Sequence, residues 1–347
     1  MKTDVSEGLS KNTLDKIYKM RQEDMTDKKI ARRLNRLEIP PPKDRGEWTY
    51  TMLRKLFLEQ GMVGYDVEDP LAFVTTKKMI ESTYSLASLL PTDIDVIVGI
   101  PRSGLIPASV LACHLHLPLF TVSDKVMDCG SGARFKNKSV NPRRVLVIDD
   151  TVFAGRTMKR ILPVVRDAFP RADIFKTAIY ATPEAKHFVD YFAHELAEPH
   201  YLEWNFFNAG PGERAIYDMD GILCHDIAAE DDDDGLRYVG ALKNATPKYL
   251  PRKGPIHMIV TARLERYREI TLEWLEKHGV KTEKLVMGPW NTLAERNRSN
   301  EVATFKSSVY HESGQELFVE SCPIQAAEIC RQTGKRVLCP AAERVFA

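Results

Sequence analysis

Apolar and polar positions follow two periods along this chain, and the switch between them marks out its elements. Residues 11–60 carry a helical spacing: Leu14, Ile17, Tyr18 and Arg21 outline a first helix. Ile30, Ala31, Leu34 and Leu37 fall on one face of a second, which Thr26 can cap. Pro40-Pro41-Pro42 stops that helix, and Trp48 precedes a third amphipathic stretch with Met52, Leu53, Leu56 and Phe57 inward. Three short helices in succession suggest a small all-α helix-turn-helix domain over residues 1–66.

From residue 67 the pattern becomes that of an α/β domain, extending to 205. It predicts a helix from Ala72 to Leu90, a strand Val96–Ile100 and a helix from about Pro107. After the motif helix described below it predicts a strand Phe175–Thr182 and a helix Pro183–Ala197. Its centre is Val145-Leu146-Val147-Ile148, four consecutive apolar residues that read as a parallel strand buried on both faces. Asp149 and Asp150 stand at the C-terminal end of that strand, where open α/β sheets bind ligands. The loop Thr151–Thr157, with Gly155, then opens a helix whose first N–H groups suit a phosphate. Adjacent carboxylates suit sugar hydroxyls or hydrated Mg²⁺ instead, so the stretch as a whole describes a sugar-phosphate site. Between the strands, Asp124–Asn141 is polar, with Gly130, Gly132, Arg134, Lys136 and Lys138; it is too long for an ordinary connection and reads as a lid or as a disordered basic loop.

A third segment, 206–347, repeats the logic. A strand ending near Tyr217 delivers Asp218 and Asp220, and Met258-Ile259-Val260 leads to Thr261. Leu317-Phe318-Val319 leads to Glu320. The run Asp231–Asp234 reads as a solvated acidic loop.

Length and charge narrow the function classes. At 347 residues there is room for two or three domains. A net charge of +1 gives no global field toward nucleic acid or membrane, so any basic surface must be local. The six cysteines show no metal-finger spacing and read as reduced thiols of a cytoplasmic protein. No apolar run approaches the ~18 residues needed to span a bilayer.

The Asp149–Thr157 stretch resembles the phosphoribosyl-diphosphate (PRPP) motif of type I phosphoribosyltransferases, in the manner of proteins labelled orotate-phosphoribosyltransferase-like. The resemblance implies that Asp149 and Asp150 hold ribose hydroxyls and that Thr151, Ala154, Gly155, Arg156 and Thr157 cradle the 5-phosphate. It further implies that Arg102 and Ser103 face the pyrophosphate and that Arg134 or Lys136 reaches it from the lid. Ala154 departs from the family, which usually has a hydroxyl residue there. The Asp218/Asp220 pair, with Thr261, Lys306 and Glu320 in order, resembles the haloacid-dehalogenase (HAD) phosphohydrolases. That resemblance implies Asp218 as nucleophile, Asp220 as proton donor, Thr261 and Lys306 on phosphate, and Mg²⁺ held by Asp218, Asp220 and Glu320. The departure is Ser321 after Glu320, where many members have a further acid. Residues 25–40, with Trp48, resemble the DNA-binding module of large serine recombinases, which implies Lys28, Lys29, Arg32, Arg33, Arg36, Arg54 and Lys55 as phosphate contacts. A partner-binding helical domain fits the same pattern.

The fold class expected is therefore α/β: two doubly wound parallel-sheet domains, phosphoribosyltransferase-like then HAD/Rossmannoid, preceded by a helix-turn-helix domain. The function implied is a homo-oligomeric enzyme of nucleotide metabolism that uses Mg²⁺, PRPP and a nucleobase or nucleotide, with phosphomonoester hydrolysis at the HAD site. A PRPP-sensing DNA-binding regulator and a nucleotide-depleting toxin or defence effector share the same motifs.

Overall fold

A computed structural model describes residues 9–22, 27–41, 46–48, 52–53, 56, 73–129, 141–196, 200–228, 230–299 and 301–347. The chain divides into two compact units, Pro70–Phe206 and Met1–Asp69 with Phe207–Ala347. No helix among the described residues is long and apolar enough to cross a membrane.

In the N-terminal segment, helices α1 (Lys11–Gln22) and α2 (Asp27–Arg36) bury Ile17, Met20, Ile30, Ala31 and Leu34 with Trp48, Leu53 and Leu56 in one apolar cluster. Asn35 pins Trp48 there: its side-chain amide donates to the Trp48 carbonyl at 3.0 Å and accepts the Trp48 N–H at 2.7 Å. Leu37, expected on the apolar face, is 54% exposed. The helix ends at Arg36 and Glu38 turns into the left-handed region (φ 53°), which carries Leu37 off that face. Arg32, Arg33 and Arg36 are exposed. Thr26, Arg54, Lys55 and Phe57 lie outside the described residues.

Unit Pro70–Phe206 is built from β1 (Phe73–Val74), α3 (Thr76–Ala87), β2 (Val96–Gly99), α4 (Leu105–Leu115), β3 (Leu119–Val122) and β4 (Val126–Asp128). It continues with β5 (Arg144–Val152), α5 (Arg156–Ala168), β6 (Asp173–Ala181), β7 (Tyr191–Glu195) and β8 (Tyr201–Leu202). The main sheet has the order β4-β3-β2-β5-β6-β7, parallel except for the antiparallel edge strand β4. Strand β5 is central, and the side-chain alternation of a strand explains its apolar run. Val145 and Val147 pack with Met158, Ile161 and Val165 of α5 on one face. Leu146 and Ile148 pack with Met79 and Leu86 of α3 and Leu111 of α4 on the other. Each such fully buried side chain contributes about 1.5–3 kcal/mol relative to exposure.

Two expectations here are corrected, and a third falls largely outside the described residues. The helix expected from Ala72 begins at Thr76, capped by the Thr75 hydroxyl, because Phe73–Val74 are drawn into a parallel pair with Tyr201–Leu202. The helix expected over 183–197 is a short 3₁₀ turn, Lys186–Phe188, followed by β7, because the open edge of β6 takes Tyr191–Glu195 as a partner. The segment read as a lid opens with β4, hairpin-paired to β3; Gly130, Gly132, Arg134, Lys136 and Lys138 lie outside the described residues.

The second sheet comprises β9 (Ile216–Tyr217), β10 (Ile256–Leu264), β11 (Thr282–Gly288), β12 (Leu317–Val319), β13 (Arg336–Cys339) and β14 (Arg344–Phe346). Its order is β11-β10-β9-β12-β13-β14, parallel except at β14. The connecting helices are α6 (Leu236–Asn244), α7 (Arg268–Lys277), α8 (Val302–Glu312) and α9 (Pro323–Thr333). Tyr310 of α8 with Ala326 and Ile329 of α9 closes a core over Ile216, Val260, Phe318 and Val337. The acidic run is not merely solvated. Asp232 accepts from Arg296, Asp233 from Arg237, and Asp234 from Arg266 and from the Tyr267 hydroxyl. It ties the start of α6 to the segments after β10 and β11.

Candidate active sites

The first cluster lies at the C-terminal end of β5. Asp149 and Asp150 are 9% and 6% exposed, and the Asp149 carboxylate accepts the Asp150 N–H at 2.9 Å. Burial, reinforced by the neighbouring Asp150 charge, pushes the Asp149 carboxyl up to about 8. The loop that follows is tightly shaped. Gly155 sits at φ 64°, and a Cβ there would meet the Phe188 ring at 2.5 Å, so only glycine lets the chain turn into α5. Thr182 holds the loop from below, donating its hydroxyl to the Phe153 carbonyl at 3.0 Å and its N–H to Val152 at 3.1 Å. Ala154, Arg156 and Thr157 are exposed at the mouth. The Thr151 hydroxyl is buried and has no hydrogen-bond partner among the described residues.

The Arg102–Ser103 loop reaches the same place. The Ile100 N–H donates to the Ile148 carbonyl at 2.9 Å, bringing the end of β2 beside β5. A Cβ on Gly104 would lie 2.8 Å from Asp149 Oδ1, so this glycine admits the carboxylate. The structure thus joins Asp149, Asp150, Arg102, Ser103 and Thr151–Thr157 around one mouth, while Arg134 is not described. Two further residues, outside the sequence motifs, lie here. Trp204 Nε1 donates to Asp150 Oδ2 at 2.7 Å, and Asn205 Oδ1 accepts from Arg102 Nη2 at 3.1 Å. Their only sequence signal was a tryptophan where no core element was expected.

The second cluster gathers around Lys306, which is 2% exposed on α8. Its ammonium donates to Asp218 Oδ2 and to Glu320 Oε2, both at 2.7 Å, and to Gln325 at 3.0 Å. Three elements far apart in sequence therefore converge: the end of β9, helix α8 and the end of β12. Burial would lower Lys306, but the two carboxylates hold it above its ordinary value. Burial pushes the Asp218 carboxyl up more strongly than Lys306 pulls it down. Asp220 is held differently. Arg263, 1% exposed, grips both of its oxygens, with Nε 2.9 Å from Oδ2 and 3.2 Å from Oδ1. Burial alone would raise Asp220; the guanidinium outweighs it and holds the carboxyl below the usual range. Thr261 Oγ1 is buried and accepts the Arg263 N–H at 3.2 Å.

Among the described residues no three His, Cys, Asp or Glu side chains are grouped to hold a metal ion. Asp218 and Glu320 share the Lys306 ammonium, and Asp220 is paired with Arg263. Asp226 was missed in the sequence: its Oδ1 lies 2.9 Å, and Ser321 Oγ 2.7 Å, from where a Cβ on Gly221 would stand. Burial and the Asp220 charge raise its carboxyl.

Comparison with known proteins bears on the first cluster. A family model for the phosphoribosyl transferase domain matches residues 70–215. An orotate phosphoribosyltransferase of Staphylothermus marinus is 35% identical over 82 residues, covering 24% of this chain and 40% of that protein. A xanthine-guanine phosphoribosyltransferase of Gluconobacter oxydans is 33% identical over 110 residues, 29% of this chain and 62% of that protein. Another, of Chromohalobacter salexigens, is 30% identical over 120 residues, 33% of this chain and 70% of that protein. The first two are thus spanned over less than two thirds of their length.

Proposed function

Since the chain belongs to the phosphoribosyltransferase family, which its residues 70–215 match, we propose that this part binds PRPP and moves its phosphoribosyl group from pyrophosphate to a nitrogen of a nucleobase, or runs the reverse reaction on a nucleotide. We read the chain as three modules, 1–66, 67–205 and 206–347, with the transfer in the second. The observation that carries this reading is the meeting of two buried acids, a glycine-shaped loop opening α5, and the Arg102–Gly104 loop at the end of one central strand. Asp149 and Asp150 hold the ribose hydroxyls. The amides and side chains of Thr151–Thr157 take the 5-phosphate, and Arg102 and Ser103 take the pyrophosphate. As the bond to pyrophosphate breaks, positive charge develops on the sugar and negative charge on the leaving group; the buried acids face the former and Arg102 the latter. The Asp149 and Asp150 carboxyls are oxygen ligands of the kind Mg²⁺ takes, and when bound the ion would neutralise the leaving pyrophosphate. The relatives are named for orotate and for xanthine and guanine, so the acceptor class is a nucleobase, pyrimidine or purine.

The convergence of Asp218, Lys306 and Glu320 favours a second activity in 206–347, a HAD-like phosphohydrolase. Asp218 is its nucleophile, and Lys306 with the Thr261 hydroxyl neutralises and holds the phosphoryl group. Asp220, gripped by Arg263, is a poor proton donor, which restricts the site to esters with good leaving groups.

The test is incubation of the full chain with Mg²⁺, PRPP and a mixed pool of bases and nucleotides, followed by untargeted mass spectrometry. Wild type should form a new nucleotide with pyrophosphate, or consume one. Asp150→Asn should abolish that change, and Asp218→Asn should remove only phosphate release. No change with wild type would rule out turnover and favour a PRPP-sensing role.

A further inference from the structure

The two residues that the motifs did not anticipate, Trp204 and Asn205, are neighbours in sequence yet make hydrogen bonds of opposite polarity. The Trp204 indole N–H donates to a carboxylate oxygen of Asp150, as a ribose hydroxyl would. The Asn205 amide oxygen accepts from the Arg102 guanidinium, as a pyrophosphate oxygen would. Donor stands for donor and acceptor for acceptor, at two points that one ligand has to bridge. We propose that Tyr201–Phe206 is a strap that imitates the ligand and must be displaced before PRPP can seat. The proposal rests on the reading of Asp150 and Arg102 as ribose and pyrophosphate groups.

The strap is built for partial release. Its base is fixed: Tyr201 and Leu202 pair with Phe73 and Val74 in β1, and Glu203 accepts the Thr76 N–H at 2.6 Å at the start of α3. Its far end is fixed too, because Phe206 is buried with its ring 6.4 Å from that of Phe73 and 5.3 Å from that of Tyr201. Between these anchors Trp204, packed against the core, and Asn205 are only half-buried, and among the described residues their side-chain hydrogen bonds both run to site residues. Tilting two residues frees Asp150 and Arg102 without unmaking the small sheet.

Two consequences follow. A ligand that binds only the released state has its apparent affinity reduced by the fraction of molecules released, so loosening the strap tightens binding. Charge-assisted hydrogen bonds of this kind correspond to roughly tenfold or more in that equilibrium. The two holds are also coupled through one backbone. Pyrophosphate taking Arg102 from Asn205 weakens the hold of Trp204 on Asp150, and so favours ribose binding, with the reciprocal effect required by linkage.

The test uses the full chain with Mg²⁺-PRPP, measured by calorimetric titration and by hydrogen exchange. Trp204→Phe keeps the ring and removes the donor; Asn205→Ala removes the acceptor. Each should tighten PRPP binding by about tenfold, and the double variant should gain much less than the product, because one release suffices. In wild type, the amides of 203–206 should lose protection when PRPP binds, a readout independent of any variant. Binding by the variants alone would also support the strap, in its most tightly closed form. Unchanged or weaker binding in both variants, or increased protection of 203–206 on binding, would overturn the strap while leaving the transferase reading in place. Failure of wild type and variants alike to bind PRPP would overturn both.

Discussion

Asp149 shows what the candidate site costs the fold. Its carboxyl moves from an ordinary 3.8 to about 8, first through burial and then through the charge on Asp150. The folded state therefore binds a proton that the unfolded chain releases, and protonation stabilises the fold relative to the ionised form. That stabilisation is complete below pH 3.8, falls as pH rises, and is gone above about 8. Asp149→Asn carries no ionisation and should keep its stability across the same window. Its advantage over wild type should grow between these limits to the order of a few kcal/mol, measured by urea denaturation at several pH values. Parallel profiles for the two proteins would contradict the burial assigned to this acid. The adjacency of Asp149 and Asp150 was legible in the sequence, since two acids ending a fully apolar strand need a partner. Trp204 was not, because its contact spans 54 residues and depends on a strand pairing that no local pattern encodes.

At the scale of elements, legibility followed burial. Val145–Ile148 lie in the middle of a sheet and read correctly, because both faces must be apolar there. Tyr191–Glu195 lie at its edge, and the preceding Pro183 with mixed apolar spacing after it imitated a helix; the ladder to β6 decided otherwise. The acidic run Asp231–Asp234 looked solvated for the same reason, its arginine partners being 4 to 64 residues away. Helix α2 shows the opposite case, a local pattern expressed as far as the helix runs: Ile30, Ala31 and Leu34 are buried and Arg32, Arg33 and Arg36 exposed, while Leu37, beyond its last residue, is exposed. If this basic face contacts duplex DNA, affinity should fall with salt at a log–log slope of about −0.9 per phosphate neutralised. Replacing the three arginines by alanine should weaken binding in a gel shift and flatten that slope. A change in sedimentation mass with no effect on DNA would assign the face to assembly instead.

At the scale of the whole molecule, two mostly parallel sheets each deliver acids from the end of a central strand, but the environments differ. In the first, two buried acids are adjacent in sequence, and the Trp204 indole N–H is hydrogen-bonded to one of them, Asp150. In the second, Lys306 and Arg263 pair with the acids. The sites lie in separate compact units, so ligand binding at one should survive loss of the other. The most direct measurement is thermal unfolding of the full chain with Mg²⁺-PRPP, for wild type, Asp149→Asn/Asp150→Asn and Asp218→Asn. A ligand that binds only the folded state stabilises it by about 2.7 kcal/mol at a hundredfold excess over its dissociation constant. Wild type and Asp218→Asn should show that shift equally and the double variant should show none; an equal shift in all three, or none in wild type, would contradict the assignment of Asp149 and Asp150 to PRPP.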